Sequence, residues 1–198
     1  MIWLIYENIN GINNRLAGNE KVTKARQIHD NLAVDIVAYN KHRLNMRHAK
    51  NVNGFNQLFN GGEAPIHSVV SHNAHENVGR VQEGGANLMV FGALVELVDR
   101  SAVQKDESGL GRWSTITLKN GDTTTRIVCG YNPCFNKNKD NSTTYAQHHR
   151  YFVKVKKDFT CPRTNFRIDL VDQLKKWRGD GDKIIVCLDA NENILRSQ

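Results

Sequence analysis

Residues 183–191 read Lys183-Ile184-Ile185-Val186-Cys187-Leu188-Asp189-Ala190-Asn191, an apolar run bounded by charge that ends on a carboxylate and an amide. Such a run reads as a buried strand. A carboxylate and an amide two residues apart at its end can jointly hold a water or an oxyanion. Two other runs end in the same way. Met1-Ile2-Trp3-Leu4-Ile5-Tyr6 leads into Glu7-Asn8-Ile9-Asn10-Gly11, and Arg126-Ile127-Val128-Cys129 leads into Gly130-Tyr131-Asn132-Pro133. If the first strand continues, Asn8 and Asn10 point to one face. Taken singly, each cluster is an ordinary turn signal, because asparagines after strands commonly form turns.

Further strand candidates fall near residues 34–40, 66–72, 86–91 and 113–119. Helical spacing appears between them, in Val22, Ala25, Ile28, His29 and Leu32, and again in Phe166, Leu170, Leu174 and Trp177. Asn120-Gly121-Asp122 between two strand runs is a hairpin signal. Helices and strands therefore mix, with a hairpin in the middle. That pattern is an α/β or α+β sheet protein and not a simple parallel doubly wound fold.

At 198 residues the chain has the size of one domain, spanning 1–198, and its 39 % hydrophobic and 24 % charged residues exclude wholesale disorder. No apolar run approaches the roughly 20 residues of a membrane span. The apolar start stops at Glu7 without a basic lead or a cleavage site, so it reads as a strand and not a signal peptide. The expected location is intracellular, nucleus or cytoplasm, with no membrane partner. Cys129, Cys134, Cys161 and Cys187 form no C-x-x-C pair and are expected as reduced thiols. Asn141-Ser142-Thr143 matches a glycosylation acceptor but has no secretory context.

The net charge of +7 is uneven: residues 137–178 carry eleven Lys/Arg against four Asp, which alone accounts for the excess. A basic face of that kind attracts polyanions, nucleic acid first. His148, His149, Arg150, Lys154, Lys156 and Lys157 fall on one predicted helix with Tyr145, Tyr151 and Phe152 interleaved. Either this face grips a nucleic-acid backbone, or the aromatics pack inward and the lysines are merely solvated. Lys41-His42-Arg43 and Arg47-His48 form a second basic cluster.

Together the three strand-end clusters resemble the endonuclease/exonuclease/phosphatase family of metal-dependent phosphodiesterases, nearest to the endonuclease domains of non-LTR retrotransposons. The resemblance is carried by Asn8-Ile9-Asn10-Gly11, Asp35-Ile36-Val37-Ala38, Gly111-Arg112, Tyr131-Asn132-Pro133 and Asp189-Ala190-Asn191, in the family's order over nearly the whole chain. It implies a four-layer sandwich of two packed β-sheets flanked by helices. It also implies a DNA-nicking endonuclease that attacks a phosphodiester with water and uses Mg²⁺ (or Mn²⁺), with DNA as partner and a fused reverse transcriptase in the full-length product. By position, Asp189 would orient or deprotonate the water, Asn191 would bond the phosphate, Asn8 would position Asp189, and Tyr131 would donate to a phosphate oxygen. Asn10 would approach the metal. Arg112, Asn132, Lys154, Lys156, Lys157 and Arg163 are the expected nucleic-acid contacts. A non-catalytic nucleic-acid-binding module of the same fold and a phosphatase acting on a small phosphoester are the alternatives.

Two positions depart from the family pattern. Where the family has the Glu that is its main metal ligand, this chain has Lys41; a protonated lysine cannot ligate Mg²⁺ and its charge opposes the cation. The family's late Asp and Asp-His pair lie beyond Gln198, so the resemblance implies a C-terminally truncated domain. It would lack the C-terminal part of the second sheet, expose a sheet edge, and be impaired or inactive as an enzyme. Other motifs carry less. Asp189-x-Asn191-x-Asn193 starts like a calcium loop but has Ile194 where Gly is required. His67, His72 and His75 lack further zinc ligands and are expected on the surface beside a loop. Gly84-Gly85 reads as a turn.

Overall fold

The computed structural model describes residues 1–12, 20–47, 49–59, 65–75, 82–103, 105–138 and 142–192. His48, Asn141, Asn193 and Ile194, named above, lie outside the described residues. Seven strands form two sheets. The first contains β1 (Leu4–Asn8), β2 (Ile36–Asn40), β3 (Ile66–Ser71) and β4 (Ala86–Phe91), in the order β1-β2-β4-β3. The second contains β5 (Trp113–Asn120), β6 (Thr123–Tyr131) and β7 (Lys183–Asp189), in the order β5-β6-β7. β1 runs parallel to β2 with Asn8 opposite Asn40, and β6 runs parallel to β7 with Tyr131 opposite Asp189.

Alternation along each strand sorts the core into layers. Ile36 and Ala38 of β2, Leu88 and Val90 of β4, Ile116 and Leu118 of β5, Ile127 and Cys129 of β6, and Cys187 of β7 pack in one cluster between the sheets. The opposite face of the first sheet, through Val37, Tyr39, Val70 and Met89, packs on Val22 of α1 (Glu20–Asn31) and on Phe55 and Phe59 of α2 (Ala49–Phe59). Val128 and Trp113 on the outer face of the second sheet pack on Phe166, Leu170 and Trp177 of α4 (Pro162–Gly179). The result is helix, sheet, sheet, helix: the four layers the resemblance implies.

α3 (Thr144–Tyr151) starts on Thr143, whose Oγ1 accepts from the Ala146 N–H. It runs on as a π-helical turn over Phe152–Lys156 and stops at Lys157 in a left-handed conformation. Gly111, ahead of β5, has φ of +72°, and a Cβ there would meet the His72 backbone at 2.3 Å, so only glycine fits. Among the described strands β7 is an edge of the second sheet and leaves Ile185 and Val186 exposed. No helix among the described residues is long and apolar enough to cross a membrane.

Candidate active site

The inter-sheet core gives way to polar residues at the C-terminal ends of β1, β2, β6 and β7. Strand parity carries Tyr6 and Asn8, Asn40, Tyr131 and Asp189 onto the inward faces there, in line with the core residues Leu4, Ala38, Cys129 and Cys187. β1 and β7, the edge strands on one flank, meet at their tips: Asn8 Nδ2 donates to Asp189 Oδ2 at 2.6 Å across 181 residues of sequence.

Both asparagine loops are Asx turns. Asn8 Oδ1 accepts from the Asn10 N–H at 3.1 Å, and Asp189 Oδ1 accepts from the Asn191 N–H at 3.2 Å. Asn10 and Asn191 have φ of 44° and 49°, a left-handed conformation that asparagine tolerates better than most residues. The turn reading and the site reading thus apply to the same residues. Each oxygen of the Asp189 carboxylate has one amide donor, which holds it in one orientation.

Behind this pair the β6 and β7 loops are tied together. Asn191 Nδ2 donates to the Asn132 carbonyl at 2.6 Å, while its Oδ1 accepts from the exposed Cys134 thiol at 2.9 Å. Asn132 Nδ2 donates to the Ala190 carbonyl at 3.0 Å. Arg163 donates to the carbonyls of Pro133 and Asn191 and pairs with Glu192 at 2.6 Å. These contacts correct three expectations. The Asn191 side chain, expected on a phosphate, already has protein partners for both its amide groups. Asn132 and Arg163, expected on nucleic acid, are buried and hold the loops. Tyr131 is buried too; burial, with Cys134 and the Asp189 charge beside it, pushes its hydroxyl well above the ordinary range, so it stays protonated.

Arg112 is the fourth correction. It is buried, with Nε and Nη2 donating to both oxygens of Asp106 at 2.7 and 2.9 Å and Nη1 to Asp169 at 2.5 Å. Its predicted role as a nucleic-acid contact is therefore not open to it. On the basic helix the aromatics pack inward: Tyr145, Tyr151 and Phe152 are buried, while Lys154, Lys156 and Lys157 face solvent together with Val155. His148 is fully buried, and desolvation together with the Arg112 charge pushes it down to about 3, so it is neutral. Lys156 lines a different opening, a groove of about 780 Å³ beside Asp106, Asp158, Asp169 and Trp177, to which none of the strand-tip residues contributes. His75 is exposed, as expected, and binds the Ser108 carbonyl through Nε2 while lying against Tyr151.

Sequence reasoning passed over Tyr6 and Asn40 as site residues. Asn40 has no exposed surface; its Nδ2 donates to Tyr6 Oη and to the Gly130 carbonyl, and its Oδ1 accepts from Cys129 Sγ. Burial pushes the Tyr6 hydroxyl up to about 12, against the Asn40 hydrogen bond and with the Asp189 charge adding to it. Their signal was parity: both share the inward face with Asn8.

Mg²⁺ takes oxygen ligands, commonly one or two carboxylates with waters. Among the described residues no three His, Cys, Asp or Glu side chains converge on one point. Asp189 is the one strand-tip carboxylate on the inward faces, and both its oxygens accept amide hydrogens. Asn40 is consumed inside the sandwich, and the next residue is a lysine. Among the described residues the donor set does not fit a resident divalent cation.

No family model matches the chain, and no curated protein does. Solved structures match by shape. An endonuclease/exonuclease/phosphatase family protein from Bacteroides thetaiotaomicron superposes with a TM-score of 0.54 at 11 % identity, over 99 % of this chain and 66 % of that one. A mannosyl-6-phosphatase from the same organism gives 0.54 at 10 % identity, over 100 % of this chain and 68 % of that one. The endonuclease domain of TRAS1, a telomere-specific non-LTR retrotransposon, gives 0.45 at 10 % identity, over 98 % of this chain and 61 % of that one. The chain has the endonuclease/exonuclease/phosphatase fold and spans about two thirds of the length of these structures. Identities this low establish the fold alone.

Proposed function

We propose that the strand tips around Asn8 and Asp189 form a phosphoester site, and that the chain is an endonuclease-type phosphodiesterase acting on DNA. The observation that carries this reading is the Asn8–Asp189 hydrogen bond, which joins the tips of β1 and β7 across the two sheets. In this reading Asp189 takes the proton of a water that attacks phosphorus, the phosphorus–oxygen ester bond opposite it breaks, and the leaving oxygen departs as a hydroxyl after taking a proton from solvent. The amide donors from Asn8 and Asn191 hold the carboxylate in one orientation. Tyr6, half-exposed and protonated, is the hydroxyl donor for a phosphate oxygen. The resemblance would add Mg²⁺ to this chemistry, which the donor set among the described residues does not support. The retroelement type, with a fused reverse transcriptase, rests on the sequence resemblance alone.

The test is conversion of supercoiled plasmid to nicked circles by the wild-type chain and Asp189→Ala, with and without Mg²⁺. Nicking that Asp189→Ala abolishes supports the reading. A second reading, a nucleic-acid-binding module without catalysis, is favoured by Lys41 and by the missing ligand set. It predicts DNA binding with a steep salt dependence and no nicking. Activity on a sugar phosphate with salt-insensitive binding would instead favour the phosphatase alternative.

A further inference from the structure

We infer that the strand-tip site binds a phosphate group without a metal ion, with the Lys41 ammonium supplying the positive charge; this rests on the phosphoester reading above. Lys41 follows Asn40, the register partner of Asn8, so it sits where β1 and β2 end side by side. Its backbone is pinned on both sides. The Gly11 N–H donates to the Lys41 carbonyl at 2.7 Å, and the Lys41 N–H donates to the Gly85 carbonyl at 2.8 Å. The residue is thereby fixed against the Asn8–Gly11 loop.

Two features mark Lys41. Its φ is +58°, a left-handed conformation unfavourable for a side-chain-bearing residue and shared by Arg43 two residues on. Strain of this kind is held in place by its surroundings and collects at functional positions. The second feature is charge. Glu83, across from the next basic residue, is paired with Arg43, and Asp189 is held by amides. Among the described residues no acid neutralises Lys41. Lys21, on the other side of the same loop, spends its ammonium on the carbonyls of Ile9 and Gly11 and adds a second positive charge there. Two lysines thus flank the Asn8–Gly11 loop, and a positive charge where a carboxylate would be needed disfavours a divalent cation and favours a phosphate.

The test titrates the full chain with inorganic phosphate, once in EDTA and once in Mg²⁺, and follows the backbone amide resonances of Asn8, Asn10 and Gly11 by NMR. Four variants accompany the wild type: Lys41→Gln, Lys41→Arg, Lys41→Glu, and Lys183→Gln as a remote control. The wild-type affinity is expected to be the same in EDTA and Mg²⁺. Lys41→Gln should lose about ten- to a hundredfold, the worth of one charge-assisted hydrogen bond. Lys41→Arg and Lys183→Gln should stay within about threefold, a change of well under 1 kcal/mol. Lys41→Glu should bind phosphate only with Mg²⁺ or not at all. Wild-type binding that requires Mg²⁺, or Lys41→Gln binding as tightly as wild type, overturns the inference and leaves the phosphoester reading standing. No shift at these amides in either condition overturns both.

Discussion

Replacing Arg112 by Met tests whether this residue belongs to a binding face or to the interior. Its side chain and that of Asp106 are 3 % and 1 % exposed, and the pair is bidentate. The guanidinium also lies over the Trp113 ring at 4.6 Å. Met fills most of the volume but leaves Asp106 a buried carboxylate with only Ser108 and backbone donors. Removing one partner of a buried pair costs about 3–5 kcal/mol. In a chain of this size that is a fall in Tm of about 6–20 °C. Asp169, the third member, is 44 % exposed and rehydrates, so Asp169→Asn should cost about 1 kcal/mol or less. The double variant Arg112→Met/Asp106→Leu removes both charges and should recover most of the loss.

Urea denaturation followed by circular dichroism gives the stabilities, and fluorescence anisotropy with a labelled oligonucleotide gives the affinity of the folded protein. The reasoning also fixes a pH dependence. Burial raises the Asp106 carboxyl, but the hydrogen bonds and charge of Arg112, with Ser108, outweigh it and leave it below the ordinary value. A carboxyl depressed in the folded state contributes stability above its unfolded pKa and loses it as pH falls through the folded one. The gap between wild type and Arg112→Met should therefore narrow below about pH 4. A variant that melts within about 2 °C of wild type, less than a 1 kcal/mol change, yet no longer binds DNA would refute the assignment.

Other consequences are independent of that pair. His148 and His42 are fully buried and pushed down to about 3 and about 4, chiefly by desolvation. Both stay neutral in the folded chain while the unfolded chain protonates near pH 6.5. Stability should thus fall on acidification from pH 6.5, each adding up to about 1.4 kcal/mol per pH unit, and His148→Phe should flatten the profile. Tyr6→Phe removes the oxygen that accepts from Asn40 and is expected to cost about 1 kcal/mol of stability and to lower plasmid nicking; unchanged nicking would take Tyr6 out of the site. Cys134 is the exposed thiol beside Asn191, whereas Cys129 and Cys187 are buried. Iodoacetamide should label Cys134 in the native chain and spare those two, as mass spectrometry of the peptides will show, and labelling should lower nicking.

The strands were legible because apolar runs and turn chemistry agree locally. Gly121-Asp122 closes the β5–β6 hairpin as a two-residue loop, with Asn120 paired to Thr123 and Gly121 at φ of +56°. α2 was not legible. Its sequence, Ala-Lys-Asn-Val-Asn-Gly-Phe-Asn-Gln-Leu-Phe, holds a glycine and three asparagines that disfavour an isolated helix. Phe55 and Phe59, one turn apart and buried on the first sheet, hold it as a helix through tertiary packing. Charge was misread for a related reason. Arg112 and Arg163 look like surface cations in sequence, and only the fold shows the carboxylates and carbonyls that turn them inward. The Asn8–Asp189 pairing was legible through a resemblance, since nothing local links residues 181 apart.

Asn8 and Asn40 show how the fold builds the site from packing. They are register partners on adjacent parallel strands, and both amides cross to the second sheet, Asn8 to Asp189 on β7 and Asn40 to the Gly130 carbonyl on β6. At this level of the sandwich the sheets are joined by hydrogen bonds of 2.6 Å at both places, where further in they are joined by Ile36, Ile127 and Cys129. The separation between Asn8 and Asp189 is consequently set by how the apolar core spaces the sheets. Asn40 carries that spacing to the mouth because its buried amide has no water to fall back on. A change in core volume would act on Asp189 through the same two crossings, so the geometry of the site and the packing of the sandwich are one quantity.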